Sequence, residues 1–405
     1  MNWDFLIKDK ESLSVSTDTR NLPTGCVYFA LRGETFDGNK FAKQALENGA
    51  SLAVIDNPEY ALPEGTLLVP NTLLALQDLA RAWRRELGLP IIGITGTNGK
   101  TTTKELLATV LSTKYNIHYT QGNLNNQIGV PLTLLQITRA HEMAIVEMGA
   151  SHPGDIKELV DIAEPNYGLI TNVGRAHLQG FGSFEGVQQT KRELYDYLVA
   201  HEGIIFRNAD NPYLEKMLLS ACENSKFKIQ NSKLYTIGTM PSGTNLVGSY
   251  NAENVSASIC VGEHFGIARE QALEAIRQYV PTNKRSQFMQ TPKNKLVVDA
   301  YNANPTSMFA SINAFEGDTF ILGEMKELGD YAHLEHQNIV NMLAERKATQ
   351  VYLVGKEWMQ TTAPYACFQD VAELREFILS HPIQNAHILL KGSRGVQLEK
   401  IIDLL

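Results

Sequence analysis

The sequence predicts an α/β chain in three domains: a small N-terminal α/β domain, a central phosphate-loop ATPase-like parallel sheet, and a C-terminal Rossmann-like α/β domain. Three observations carry that expectation. Short apolar runs of strand length alternate with helix-period segments almost from end to end, the pattern of parallel sheets covered by helices. At 405 residues the chain exceeds what one hydrophobic core normally supports. One apolar run feeds a glycine-rich turn, Gly96 to Gly99, that opens a helix pattern.

Taken in order, Cys26–Leu31 and Ser51–Ile55 read as strands, and Leu73–Leu87 as a helix that Gly88 and Pro90 stop. Ile91–Thr95, Met143–Met148 and Leu169–Asn172 read as buried strands of a second sheet. Phe184–Leu198, Asn251–His264 and Arg269–Tyr279 carry helical periodicity, and Pro281 and Asn283 end the last of them. Leu296–Asp299, Thr319–Leu322, Gln350–Val354 and Ala386–Leu390 form a third set of strands. The two joints divide the chain into domains 1–86, 87–282 and 283–405, each of ordinary size.

Composition narrows the function. An apolar fraction of 43% and a charged fraction of 20% are those of a folded globular chain. A net charge of -8 gives no general attraction to nucleic acid or anionic lipid, so neither is expected as a partner. No apolar run approaches the ~18 residues of a membrane span. Met1–Lys10 has neither a basic nor an apolar leader region, so the chain is expected in the cytoplasm. Cys26, Cys222, Cys260 and Cys367 lie far apart without metal-ligand spacing and are expected to be reduced.

Ile91 to Thr103 holds the chemistry. Glycines let consecutive N–H groups form an anion nest, and the following helix adds its positive end. Lys100 is then placed for β/γ-phosphates and Thr101 for Mg²⁺. Gly96, Thr97, Asn98, Gly99, Lys100, Thr101 and Thr102 are the candidate ATP-binding residues. The strict nucleotide-loop pattern wants Gly where Ile94 stands.

With Ile94 in that place, Gly96-Thr97-Asn98-Gly99-Lys100-Thr101-Thr102 resembles the loop of the Mur ligase family. The resemblance continues through Gly122-Asn123-Leu124-Asn125-Asn126, Val146-Glu147-Met148-Gly149, and Thr171-Asn172-Val173-Gly174-Arg175-Ala176-His177-Leu178. It resumes at Thr190-Lys191-Arg192-Glu193-Leu194, Tyr250-Asn251, Asn283-Lys284-Arg285-Ser286-Gln287 and Asp299 to Met308, and so covers nearly the whole chain. Within the family, Tyr301-Asn302-Ala303-Asn304-Pro305-Thr306-Ser307-Met308 and the paired Asn125 and Asn126 resemble the member that adds D-alanyl-D-alanine to a UDP-linked muramoyl tripeptide. The Asp-Asn-Pro-Arg string of the diaminopimelate-adding member is absent. That sister ligase is the nearest rival, and a non-ligase phosphate-loop ATPase the next.

The resemblance implies an ATP-dependent ligase working as a monomer through an acyl phosphate, because a carboxylate and an amine at neutral pH form a salt and not an amide. It implies Lys100, Glu147, His177 and Lys191 as catalytic residues, with Thr101, Glu147, His177 and Lys191 around Mg²⁺. Lys191 stands where the family carries a lysine that takes up CO₂ as a carbamate. Read without the family, it is a solvent-facing helix lysine. Asn251, Arg285 and Asp299 are implied nucleotide contacts, the last two reaching the site when the third domain closes. Thr19, Arg32, Gly33, Asp37 and Gly38 resemble the holder of the uridine diphosphate, and Asn125 and Asn126 are implied on the substrate side. Asn302, Asn304 and Thr306 offer amide and hydroxyl groups to a dipeptide backbone, and Lys391-Gly392-Ser393-Arg394 is expected to hold its carboxylate, with Arg394 as the candidate contact. Glu324 stands where the family often has Asp.

Overall fold

The computed structural model describes residues 1–223, 225, 232–281 and 285–405. Asn283, Lys284 and the second expected joint lie outside the described residues. Three sheets follow one another along the chain. The first contains β1 (Val15–Ser16), β2 (Val27–Phe29), β3 (Leu52–Ile55) and β4 (Thr66–Leu68), all parallel and in sequence order.

The central sheet holds β5 (Ile91–Thr95), β6 (Ile117–Tyr119), β7 (Met143–Glu147), β8 (Tyr167–Ile170), β9 (Ile204–Asn208) and β10 (Lys233–Tyr235). They are wholly parallel in the order β10-β9-β8-β5-β7-β6. Strands β5 and β7 are buried along their whole length, which is why they read as unbroken apolar runs. The order reverses at β5, and a crevice opens beyond the strand ends at such a point. The glycine-rich turn sits there.

The third sheet contains β11 (Gln287–Gln290), β12 (Lys295–Asp299), β13 (Thr319–Gly323), β14 (Gln350–Val354), β15 (Ala366–Phe368) and β16 (His387–Lys391), in the order β11-β12-β16-β13-β14-β15. Only the edge strand β11 is antiparallel. The strand expected at Leu169–Asn172 ends at Ile170 instead; Thr171 and Asn172 turn away to hold the glycine-rich loop.

The helix Thr72–Leu87 is capped by Asn71 and closed by Gly88 in the left-handed conformation. It does more than end the first domain. Trp83 is fully buried and donates to Ile137 O at 2.8 Å, while Arg84 donates to Glu164 O at 2.8 Å. One apolar core therefore runs from Val27 and Phe29 of the first sheet to Ile91 and Val146 of the second. On the other face of the central sheet the helices Asn251–His264 and Arg269–Gln278 pack on Lys100–Leu111. Among the described residues no helix is long and apolar enough to cross a membrane.

Candidate active site

A cavity of about 660 Å³ lies beyond the β5 strand end, between the central and third sheets. Its base is the turn 96–99, which only glycine allows at two positions. Gly96 has φ +142°, and a Cβ there would stand 2.1 Å from Thr171 Oγ1. Gly99 has φ +79°, and a Cβ would meet Asn254 Oδ1 at 2.4 Å. The segment after β8 holds the turn. Thr171 Oγ1 donates to Asn98 O at 2.6 Å, Asn98 N to Asn172 Oδ1 at 3.0 Å, and Gly174 N to Thr97 Oγ1 at 2.9 Å.

Lys100 opens the helix and curls back, its Nζ donating to Gly96 O at 2.7 Å and Thr97 O at 3.1 Å. Burial pushes its amine down to about 8 while Glu147 opposes the shift. Thr97, Asn98, Gly99, Thr101 and Thr102 line the cavity; Gly96 supports them from behind.

Glu147, at the end of β7, is almost fully buried and held on both carboxylate oxygens. Thr101 Oγ1 donates to Oε2 at 2.9 Å and Asn125 Nδ2 to Oε1 at 2.8 Å. Lys104 Nζ stands 4.0 Å away and donates to Thr120 O at 2.7 Å. The Thr101 hydroxyl and Glu147 carboxylate are the hard oxygen donors that Mg²⁺ takes, so the pair fits the ion. Among the described residues no three His, Cys, Asp or Glu side chains converge on a metal position. Asn126, on the cavity wall, spends its Oδ1 on Gly129 N at 2.9 Å.

His177 also lines the cavity, with a left-handed φ of 50°, and its Nδ1 lies 2.5 Å from Glu327 Oε2 of the third domain. Lys191 is not the solvent-facing lysine that helix periodicity alone suggests: it is 2% exposed, its Nζ 5.6 Å from the centre of the Phe181 ring. Burial, and then the nearby Lys100 charge, hold its amine well below the ordinary lysine range. It stands behind the cavity and not on its surface.

The third domain supplies the facing wall. Asn98 and Asn304 exchange side-chain amide bonds, 2.8 Å from Asn304 Nδ2 to Asn98 Oδ1 and 3.4 Å in return. Thr306 Oγ1 accepts from Arg175 N at 3.1 Å, and Arg175 pairs with the buried Glu335 at 3.0 Å. Asn302 is exposed at the cavity edge, its Oδ1 accepting from Ala303 N. Asp299 ends β12 and accepts from Ser311 Oγ at 3.1 Å. Lys391, expected beside Arg394 as a partner for a substrate carboxylate, is instead buried and bonded to Asp299, so its charge is already met. Arg394 is exposed outside the cavity lining, near Tyr301. Arg285 lies on the Tyr301 ring, its guanidinium carbon 3.8 Å from the centre. Asn251 lines the cavity but is buried, donating to Val247 O at 2.8 Å and accepting from Asn254 at 2.9 Å.

The candidate residues of the first domain form a separate group. Arg32 and Asp37 close an antiparallel bridge, Gly38 packs where a Cβ would meet Leu31 O at 2.6 Å, and Gly33 N donates to Phe36 O at 2.8 Å. Arg32 Nε contacts Asp56 at 2.8 Å and Asp37 at 3.7 Å. Thr19 lies half-buried in the loop after β1. Sequence reasoning missed Asn39 and Asp56: the fully buried Asn39 bonds both Asp37 and Asp56, fixing the turn.

Known proteins resemble this arrangement over its whole length. The family descriptions "Mur ligase family, catalytic domain", "Mur ligase middle domain" and "Mur ligase, glutamate ligase domain" match residues 13–84, 94–262 and 284–394 in turn. The UDP-N-acetylmuramoyl-tripeptide--D-alanyl-D-alanine ligase of Bacillus subtilis is 34% identical over 96% of this chain and 92% of its own. The enzyme of that name from Escherichia coli is 32% identical over 97% and 93%. A crystal structure of MurF from Acinetobacter baumannii superposes with a TM-score of 0.83 at 29% identity, covering 96% of this chain and 92% of that one. MurF ligase from Thermotoga maritima in complex with ADP gives 0.84 at 25% identity, covering 98% of both. With three successive descriptions matched in order and such identity sustained along nearly the full length, the chain belongs to the Mur ligase family.

Proposed function

We propose that the chain joins D-alanyl-D-alanine to UDP-N-acetylmuramoyl-tripeptide, driven by ATP, in the cytoplasmic synthesis of cell-wall precursor. The observation that carries this reading is the Asn98–Asn304 amide pair, which joins the phosphate loop to the YNANPTSM segment across one cavity. The phosphate loop and the amide-bearing segment face one cavity, which supports a nucleotide on one side of it and a peptide on the other. The names of the relatives from Bacillus subtilis and Escherichia coli, and the ADP of the Thermotoga maritima structure, support the same substrates here. Division into units 1–86, 87–282 and 283–405 accords with each sheet falling inside one of them.

In this reading the tripeptide carboxylate attacks the γ-phosphorus of ATP; the new O–P bond forms as the bond to the bridging oxygen breaks and ADP leaves. The dipeptide amine then attacks the acyl carbon, a C–N bond forms, phosphate departs and the nitrogen loses a proton. Phosphoryl transfer of this kind needs positioning and charge neutralisation above all. Lys100 leaves the carbonyls of Gly96 and Thr97 for the phosphates, and the N–H groups of Gly99 to Thr102 cradle them; that of Asn98 is held by Asn172. Thr101 and Glu147 hold Mg²⁺, which neutralises phosphate charge. His177 completes the polar wall, and Lys191 stands behind it. The neutral amine is the form that attacks CO₂, and burial shifts Lys191 toward that form, so it is suited to carry a carbamate, its N–C bond forming as a proton leaves. Arg285 and Asp299 serve the nucleotide with Asn251. Asn125, Asn126, Asn302, Asn304, Thr306 and Arg394 serve the peptide ends, and Thr19, Arg32, Gly33, Asp37 and Gly38 the uridine diphosphate.

The test is a mass-spectrometric assay of the purified chain with ATP, Mg²⁺, D-alanyl-D-alanine and each of two UDP-tripeptides, carrying diaminopimelate or lysine. A UDP-pentapeptide formed with one ADP per bond is the expected product. ADP release without amide formation would leave only a phosphate-loop ATPase.

A further inference from the structure

The third sheet gathers two guanidinium groups on one aromatic ring. Strands β12 and β16 are parallel neighbours with Asp299 and Lys391 in register, so Tyr301 and Arg394, a few residues past each strand end, emerge side by side. Strand β11 runs antiparallel with Gln287 opposite Val298, which returns Arg285 to the same edge. The outcome is a cation–π cluster: the guanidinium carbon of Arg285 lies 3.8 Å, and that of Arg394 5.6 Å, from the centre of the Tyr301 ring. Tyr301 and Arg285 line the cavity, while Arg394 stands exposed beside them.

Two like charges on long side chains do not settle side by side unaided. Each repels the other, and a long side chain offers each many other rotamers. An aromatic face attracts both and fixes the plane of a guanidinium laid upon it, leaving its N–H fork to meet an oxyanion edge-on. Asn302, the next residue, lines the same cavity.

We propose that Tyr301 is a positioning residue for two substrates at once, its ring holding Arg285 toward the nucleotide phosphates and Arg394 toward the carboxylate of the incoming dipeptide. This rests on the ligase reading above. Tyr301 touches neither reacting group; it acts through the two arginines. A ring that merely filled space would, on removal, lower stability or kcat without raising both Michaelis constants together.

The experiment compares Tyr301→Leu and Tyr301→Met with Tyr301→Phe, which keeps the ring and drops only the hydroxyl. Both aliphatic variants are expected to raise KM for ATP and KM for D-alanyl-D-alanine, each by about tenfold, with kcat changed by less than about threefold. Tyr301→Phe is expected to restore both constants to within about twofold of the wild type. Calorimetric binding of ADP, which needs no turnover, should weaken in the aliphatic variants and recover in Tyr301→Phe. An aliphatic variant with either KM unchanged, a loss confined to kcat, or a phenylalanine variant as impaired as leucine overturns the proposal. Should the wild-type chain form no amide, the ligase reading fails by itself. ADP binding then still decides, and an affinity indifferent to the ring overturns the proposal.

Discussion

Lys191 shows how far a residue's surroundings can depart from its place in the sequence. On a helix of ordinary amphipathic pattern it is 2% exposed, and burial with the Lys100 charge disfavours its ammonium form. Lys191→Ala is expected to lower kcat by roughly a hundredfold or more, the scale of losing one electrostatic stabiliser. Acetate or formate should restore part of the rate and methylamine none, because a small carboxylate replaces a carbamate and a small cation does not. Rescue by methylamine alone would sink the carbamate. His118 makes a second prediction, about stability. Burial, with His141 nearby, pushes it down to about 4, from the ordinary value of 6.5. Its neutral form is the folded one, so the unfolded chain takes up the proton first. The stability it contributes is complete above pH 6.5 and is lost as pH falls from there through about 4. His118→Phe should flatten that part of the melting-temperature profile, and a slope identical to wild type in scanning calorimetry would reject the assignment.

At the scale of elements, the β5–turn–helix unit makes the sharpest demand on sequence. Gly96→Ala would force a Cβ onto the Thr171 hydroxyl and break its bond to Asn98 O. The strain of a non-glycine residue there is about 1–3 kcal/mol, and the loop must shift to relieve it. ADP affinity measured by calorimetry should therefore fall more than tenfold while the urea midpoint drops only modestly. Undiminished affinity would show that the turn does not bind phosphate. This unit was legible because its signal is local: a buried strand, two special glycines and a helix start lie within a dozen residues. Strand β5, strand β14 and the helix Asn251–His264 match their expected bounds for the same reason. Strands β1, β4, β6, β10 and β15, of two or three residues each, went unseen because they are too short for a period of two to show. The grip of Thr171 and Asn172 on the loop, the shielding of Lys391 by Asp299 and the hub at Asn39 were equally hidden. Each depends on partners far apart in sequence, and no local pattern encodes them.

For the whole molecule, the question is what holds the third domain against the phosphate loop. Among the described residues the contacts are mostly polar: the Asn98–Asn304 amides, Arg175 on Thr306 and Glu335, His177 on Glu327 and Tyr250 on Ser286, with Val247 packed on the core of the third sheet. An interface of that kind does not lock domains, whose relative motion is the ordinary expectation. The first and central sheets differ in this respect, since one apolar core runs through both. Arg175 is 56% exposed and Glu335 4%. Solvent screens the arginine, so the direct attraction is worth about 1 kcal/mol or less. Removing it still leaves a buried carboxylate without its cation, which favours the undocked arrangement. Arg175→Ala combined with Asn304→Ala should therefore shift the population toward an extended particle, read as a larger radius of gyration in small-angle scattering. ATP and UDP-tripeptide bridging the two faces of the cavity should compact the wild type. They should compact the double variant further, because it starts more open. Identical scattering from wild type and double variant, with and without ligands, would mean that Arg175 and Asn304 do not set the docking, and that the third domain is held by contacts elsewhere.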